Sequence, residues 1–325
     1  MSSLHVTAWA KVNLALDVVA RRPDGYHDIE TVMHRIDLAD EIEITRTRRQ
    51  ATPGRIDVQV HTESPLAAMV PAGKDNIAYR SVLSFCEGLG HETAREWDIN
   101  VEITKRIPAS AGLGGGSADA AAVLATLNVM WGNPYGDEAL MKIASSIGAD
   151  VPFCLYAMGK GSTGAAIAKG VGEVIRPVPS LPRAGLVLAV PPFGLSTKDM
   201  YSMWDEQSSV HQHPVHEGTR AAQLAGAMEC GRSLQELCHM MWNDFQQLAV
   251  VRRPEVKQLG EALMESGAIT ALLTGSGPAV FGIFESFDVA CEATESGLLR
   301  QAARRCAGAE LLAVSIGEPV ETASR

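Results

Sequence analysis

Hydrophobic positions near the amino terminus alternate: Val6, Ala8, Ala10, Val12, Leu14, Leu16 and Val18 fall on one face of an extended chain. A period of two predicts a strand over 5–19 with one buried face, and it places Lys11 and Asn13 together on the other. RRPDGYHD follows with a Pro-Asp-Gly turn signal, after which the chain returns as strand from Ile29 to Ile44, ending in the alternating EIEI. A helix is predicted from near Asp75 through AYRSVLSFCEGL to Gly90, and WDINVEITKRIP restores the alternation at Ile99, Val101 and Ile103. Residues 108–121 then read PASAGLGGGSADAA and lead into ADAAAVLATLNVMW, rich in the strongest helix former and without a breaker before Gly132. The local unit is strand, glycine loop, helix.

A second helix is predicted from Asp137 to Ile147, stopping at Gly148, and prolines at 177, 179 and 182 mark a boundary before the apolar strand GLVLAV. Beyond it the pattern reads strand (186–190), helices over about 198–266, strand ITALL, turn TGSGP, strand AVFGIF, a helix and a final strand LLAVSI. There is no internal repeat, and DEQSSVHQHPVHEG at 205–218 reads as an exposed, weakly ordered loop. The class is α+β. A chain of 325 residues exceeds what one core usually supports, so two domains are expected, 1–180 and 181–325.

Composition narrows the function. With 46% apolar and 20% charged residues and no uncharged apolar run of spanning length, a membrane role is excluded. The N-terminus has no export signal, and the six cysteines are scattered without a C-x-x-C pair, so reduced thiols in a cytoplasm are expected. A net charge of −10 argues against nucleic acid as partner, so an anionic ligand has to be caught locally. No oligomeric state is assigned.

The candidate for that capture is the glycine loop. Uncapped N–H groups and a partial positive charge at a helix start make an anion cradle, supplied here by Gly112, Gly114, Gly115, Gly116 and Ser117. The spacing matches neither the Walker loop nor the dinucleotide fingerprint, and a glycine run by itself also suits a plain connection. Lys11 is a cation that can reach a reacting oxygen beside Asn13, or a solvated lysine on a sheet. Asp150, between Gly148 and Pro152, suits proton acceptance in a partly desolvated position, or a turn or cap. TGSGP is a tight hairpin turn or a ligand loop in which Gly275 and Gly277 let backbone approach a phosphate. His211, His213 and His216 lack partnering acids at fixed spacing and read as solvated.

Taken together, AKVNLALDVVARRPDGYHDIETV, PASAGLGGGSADAAAVLATLN and LLTGSGPAVFGIF resemble the three signature regions of the GHMP small-molecule kinases in content, order and separation. KVNLAL followed by RPDGYHDIETV, together with GADVPF, is most similar to the branch of that family acting on 4-diphosphocytidyl-2-C-methyl-D-erythritol in non-mevalonate isoprenoid biosynthesis. The resemblance implies a two-domain α+β fold, with a left-handed β-α-β unit in the N-terminal domain and a ferredoxin-like C-terminal domain. It implies ATP as phosphoryl donor with Mg²⁺, and Lys11 and Asp150 as the catalytic pair, Asp150 taking the proton of the substrate 2-hydroxyl and Lys11 polarising it. Pro108, Ala109, Ser110, Ala111, Gly112, Leu113, Gly114, Gly115, Gly116 and Ser117 would then wrap the ATP phosphates. No residue is assigned as a direct metal ligand, Ser117 being the one candidate hydroxyl, since Ala118 stands where this branch more often has a second serine.

The same resemblance gives the substrate side. Asn13 would touch the polyol, Tyr26 would stack on cytosine and His27 would bond its edge. Thr197 and Tyr201 of PPFGLSTKDMY match positions contacting the erythritol and the other face of the base, Gly275, Ser276 and Gly277 line the substrate, and AKGVGEVI frames the site. Three alternatives stand beside it: a GHMP kinase for homoserine, mevalonate or a sugar; a nucleic-acid-binding module of similar N-terminal architecture; and a catalytically dead nucleotide sensor. The acidic balance opposes the second, and the presence of both Lys11 and Asp150 opposes the third.

Overall fold

The N-terminal alternation folds as strand β1, Ser2–Arg21, and the sequence after the Pro-Asp-Gly turn as β2, His27–Arg48, both longer than the apolar pattern alone predicts. The structure, a computed structural model, describes residues 1–49, 54–62, 70–90, 96–159, 164–208 and 218–317. The chain forms two compact units, each assembled from separate pieces: Met1–Ala10, Leu38–Ala109 and Gly114–Lys160 in the first, Lys11–Asp37, Ser110–Leu113 and Gly161–Arg325 in the second.

In the first unit follow β3 (Ile56–Thr62), α1 (Ile77–Leu89), β4 (Trp97–Lys105), α2 (Gly115–Met130), α3 (Asp137–Ile147) and α4 (Val151–Met158). β4 lies between antiparallel β2 and parallel β3, so that Val101 faces Ile44 on one side and Val58 on the other. All three are buried. β3 has its own alternation, Ile56, Val58, Val60, in a stretch for which the sequence reading made no assignment. Asn76 caps α1 by accepting from the Ala78 N–H at 2.8 Å. α2 packs on α1 and α4 and is buried on nearly every side. A helix apolar all round belongs in a core, and its alanines let neighbours come close.

In the second unit follow β5 (Ala165–Gly170), β6 (Val174–Pro177), β7 (Ala184–Val190), α5 (Thr197–Ser208), α6 (Arg220–Glu229), α7 (Leu234–Met240), β8 (Trp242–Asn243), α8 (Gln246–Arg252), α9 (Pro254–Glu265), β9 (Thr270–Leu273), β10 (Val280–Phe284), α10 (Phe287–Glu295), α11 (Gly297–Arg305) and β11 (Glu310–Ile316). AKGVGEVI forms the β5–β6 hairpin, which adds to β2 with Val32 opposite Ile167. β8 pairs parallel with β1 at Ala15 and Leu16. A second sheet has the order β11-β7-β10-β9, every neighbour antiparallel. Helices separate its first strand from its second and its third from its fourth, which is the ferredoxin-like arrangement. Val187, Val280 and Phe284 of the sheet bury against Leu259, Leu263 and Leu299 of the helices. The expected α+β class and the ferredoxin-like arrangement of the C-terminal part therefore hold.

Asp205–Ser208, expected in a loop, belong to α5. The histidines of that loop, at 211, 213 and 216, lie outside the described residues. None of the six cysteines is in a disulfide. Among the described residues no helix is long and apolar enough to cross a membrane.

One buried group gives the second unit a pH dependence. His34 donates from Nδ1 to the Arg35 carbonyl at 2.6 Å, while its Nε2 accepts from the Ser180 hydroxyl at 2.8 Å and the Leu181 N–H at 3.3 Å. A second ring proton would face those donors, and burial pushes the imidazole down to about 4. The unfolded chain binds that proton near pH 6.5, so this group favours folding fully above pH 6.5 and progressively less towards pH 4. Thermal unfolding of the wild type is expected to lose stability by up to about 3 kcal/mol from this group across that window, and His34→Gln to flatten the slope. An unchanged slope in His34→Gln removes His34 as its source.

Candidate active site

Lys11 is not solvated: it is 3% exposed and Asn13 2%, because both faces of β1 are covered through the middle of the strand. A lysine is buried only where acceptors meet it. Its Nζ donates to Asn13 Oδ1 at 2.7 Å and to the Gly112 carbonyl at 3.0 Å. Asn13 in turn donates from Nδ2 to Thr31 Oγ1 at 2.9 Å, and the Thr31 hydroxyl donates to the Ala15 carbonyl at 2.6 Å. The Asn13 amide, expected at the substrate polyol, is thus engaged in orienting the ammonium.

The two glycine loops meet beside that lysine. The Leu113 carbonyl accepts from the Lys11 N–H at 3.0 Å, and the Ala111 carbonyl from the Ala279 N–H at 3.2 Å. Thr274, fully buried at the start of TGSGP, accepts from the Asn13 N–H at 3.1 Å and donates to the Gly112 carbonyl at 3.3 Å. Gly112 has φ +83°, and a Cβ there would stand 2.2 Å from the Thr274 carbonyl oxygen. Its glycine is required by protein backbone. Asn243, which the sequence reading passed over, donates to the carbonyls of Leu273 and Gly275, each at 2.8 Å, and so fixes the TGSGP loop. Gly275, Ser276 and Gly277 occupy its tip, where Ser276 Oγ lies 2.8 Å from Thr197 Oγ1.

Within the first unit the loop enters α2 through Gly114 in the left-handed conformation, φ 71°, with no side chain capping the helix. The Ala118 N–H already bonds the Gly114 carbonyl at 2.8 Å, so Gly115, Gly116 and Ser117 carry the N–H groups that a helix start offers to an anion. Gly115 is also packed: a Cβ there would lie 2.9 Å from Ile107 Cγ2.

A buried charge cluster grips both ends of this loop. Lys105, the last residue of β4, donates from Nζ to Asp40 of β2 and to Asp119 Oδ2 of α2, the latter at 2.7 Å. Asp40 Oδ1 further accepts from the N–H groups of Arg106 at 2.6 Å and Ile107 at 2.9 Å. Burial alone would lower the Lys105 pKa, but the two carboxylates outweigh it and raise it. Asp119 is raised, chiefly by burial and against the pull of Lys105, with Asp40 adding to the rise. Chain on both sides of residues 106–114 is thereby tied to one ammonium.

Asp150 is half-buried in the first unit at the start of α4. It occupies the turn before the helix and its N-cap position, as the alternative reading had it, and its side chain makes no capping hydrogen bond. Pro152 and the buried Val151 and Phe153 hold the turn that carries it. Lys11 belongs to the second unit and Asp150 to the first.

At the turn into β2, Tyr26 is 66% exposed, whereas the adjacent His27 is 8% exposed. The His27 ring stacks on Tyr201 of α5, centroids 4.5 Å apart at 17°, so one face of Tyr201 is occupied by protein. Trp204 meets His27 edge-on at 5.8 Å, and Asp205 Oδ1 accepts from His27 Nε2 at 2.7 Å. Neither Trp204 nor Asp205 was among the sequence candidates.

Comparison with known proteins gives the family. Residues 76–158 match the family profile of the GHMP kinases N terminal domain, and 222–296 that of GHMP kinases C terminal. The chain is 37% identical over 286 residues to 4-diphosphocytidyl-2-C-methyl-D-erythritol kinase of Desulfitobacterium hafniense (strain Y51), covering 88% of each sequence. The chain belongs to this family of kinases. A crystal structure of 4-(cytidine 5'-diphospho)-2C-methyl-D-erythritol kinase superposes with TM-score 0.68 at 29% identity, over 97% of this chain and all (100%) of that one. L. major mevalonate kinase in complex with R-mevalonate superposes with TM-score 0.70 at 17% identity, over 97% and 95% of the two chains, and shows the shared fold alone. Since one fold serves several acceptors, the substrate of this GHMP kinase has to be argued from its site.

Proposed function

We propose that this kinase transfers the γ-phosphoryl group of ATP to the 2-hydroxyl of 4-diphosphocytidyl-2-C-methyl-D-erythritol, giving the 2-phosphate and ADP. The observation that carries the reading is the buried Lys11 ammonium, directed by Asn13 Oδ1 and the Gly112 carbonyl at the junction of both glycine loops. A cation kept dry and aimed is strong electrostatic help for a reacting oxygen, since water does not screen it. Asp150 accepts the hydroxyl proton, Lys11 steadies the charge that develops, and residues Pro108 to Ser117 hold the phosphates through the N–H groups at the start of α2. Residues 1–180 form the N-terminal family domain in this account and 181–325 the C-terminal one.

ATP fits this cradle because its helix start is uncapped and lacks Cβ atoms at Gly115 and Gly116. Among the described residues no three His, Cys, Asp or Glu side chains gather to hold a metal ion. Mg²⁺ commonly rides on nucleotide phosphates with one or two protein oxygens, and the Ser117 hydroxyl in the first turn of α2 suits that place. When bound, the ion would supply charge neutralisation to the phosphates. The acidic chain suits a small-molecule partner over nucleic acid, and cysteines outside any disulfide suit a cytoplasmic setting.

ADP release measured with the cytidine substrate, homoserine, mevalonate and galactose in parallel tests the assignment: turnover is expected with the first alone. The exposed ring of Tyr26 is available to stack on the base. Tyr26→Ala is expected to raise KM for the cytidine substrate about 10- to 100-fold while leaving that for ATP unchanged. Equal damage to both constants would displace Tyr26 from the base site.

A further inference from the structure

Tyr201, Trp204 and Asp205 stand at i, i+3 and i+4 on α5, hence on one face of the helix, and all three engage the ring of His27. The stack and the edge contact set the ring plane, and Asp205 sets its rotation. A carboxylate only accepts hydrogen bonds, so the 2.7 Å contact puts a proton on His27 Nε2. Arg21 faces the other carboxylate oxygen, Oδ2, at 3.4 Å and holds the fork in that orientation. In the neutral ring the consequence is an unprotonated Nδ1, which is an acceptor. Cytosine carries an amino donor at position 4, where uracil carries a carbonyl acceptor.

We propose that Asp205 is a specificity-setting positioning residue, which fixes His27 with Nδ1 as the acceptor and so makes the base site prefer cytidine over uridine nucleotides. The proposal rests on the functional reading above only in placing the base at His27. Asp205 touches no substrate itself; it acts through the tautomer. Asp205→Asn makes the point of attack: Arg21, a donor, faces the arm of the fork away from the ring and takes the amide oxygen there, so the amide N–H is donated to Nε2 and moves the ring proton to Nδ1, where it matches the uracil carbonyl instead.

The test uses calorimetric binding of cytidine diphosphate and uridine diphosphate, which requires no turnover, to the wild type, Asp205→Asn and Asp205→Ala, with nitrogen NMR of the His27 ring in the wild type. Wild type is expected to bind the cytidine nucleotide at least about tenfold tighter, with shifts of the Nε2–H tautomer. Asp205→Asn is expected to cut that preference about tenfold or more, Asp205→Ala to weaken it, and ATP affinity to stay unchanged in both. An Nδ1–H tautomer in the wild type overturns the proposal whether or not the variants fold, and so does a preference retained in folded variants. Absence of kinase activity alongside intact nucleotide discrimination would count against the functional reading and leave this inference standing.

Discussion

Asp150→Asn is expected to bind ATP and the cytidine substrate with near-normal affinity and to lose turnover by about 10²- to 10⁴-fold, the range that a positioned general base supplies. The substitution keeps the shape of the side chain and removes its charge and its ability to take a proton. It should leave the start of α4 intact, because the Asp150 carbonyl that accepts the Cys154 N–H is unchanged and its side chain makes no capping hydrogen bond. Steady-state kinetics with both substrates, accompanied by thermal unfolding, separates the two effects: a fall in kcat at constant KM and constant Tm is the expected pattern. Turnover within a few-fold of wild type would take the base role away from Asp150.

The largest effect on stability is expected at Lys105. Lys105→Met leaves the buried carboxylates of Asp40 and Asp119 facing each other with no cation between them. Removing one partner from such a cluster costs about 3–5 kcal/mol, which for a protein of this size lowers Tm by about 4–7 °C. The account makes a second demand on the same experiment: adding Asp40→Asn and Asp119→Asn should recover part of the loss, because the cost lies in uncompensated charge. If Lys105→Met unfolds within about 1 kcal/mol of the wild type, the cluster is not the anchor of the glycine loop.

Much of this was legible in the chain. Strict alternation in β1 placed Lys11 and Asn13 on a common face, and the strand, glycine loop and helix came in the right order. Alternation cannot say whether the second face of a strand meets water or protein, so the solvated reading of Lys11 stayed open until the packing around residues 10–16 closed it. The anchoring cluster left a signal that went unused. Lys105 continues the buried phase of Ile99, Val101 and Ile103, and Asp40 that of Ile42 and Ile44. A charge in an apolar phase calls for a buried partner. Gly112 was read as room for a phosphate, whereas its nearest constraint is the backbone of Thr274, which lies 162 positions further along. Asp205 was assigned to a polar loop because nothing local marks it; its meaning comes from His27, 178 positions earlier in the chain.

Phosphorus NMR of the purified protein with Mg-ATP and 4-diphosphocytidyl-2-C-methyl-D-erythritol tests the central claim most directly, with homoserine, mevalonate and galactose in parallel tubes. The account predicts ADP and one new phosphomonoester signal in the cytidine tube alone, assigned to the tertiary 2-hydroxyl by the absence of coupling to a proton on the carbon bearing it. A phosphomonoester on another hydroxyl, turnover of a different acceptor, or silence in all four tubes would contradict it.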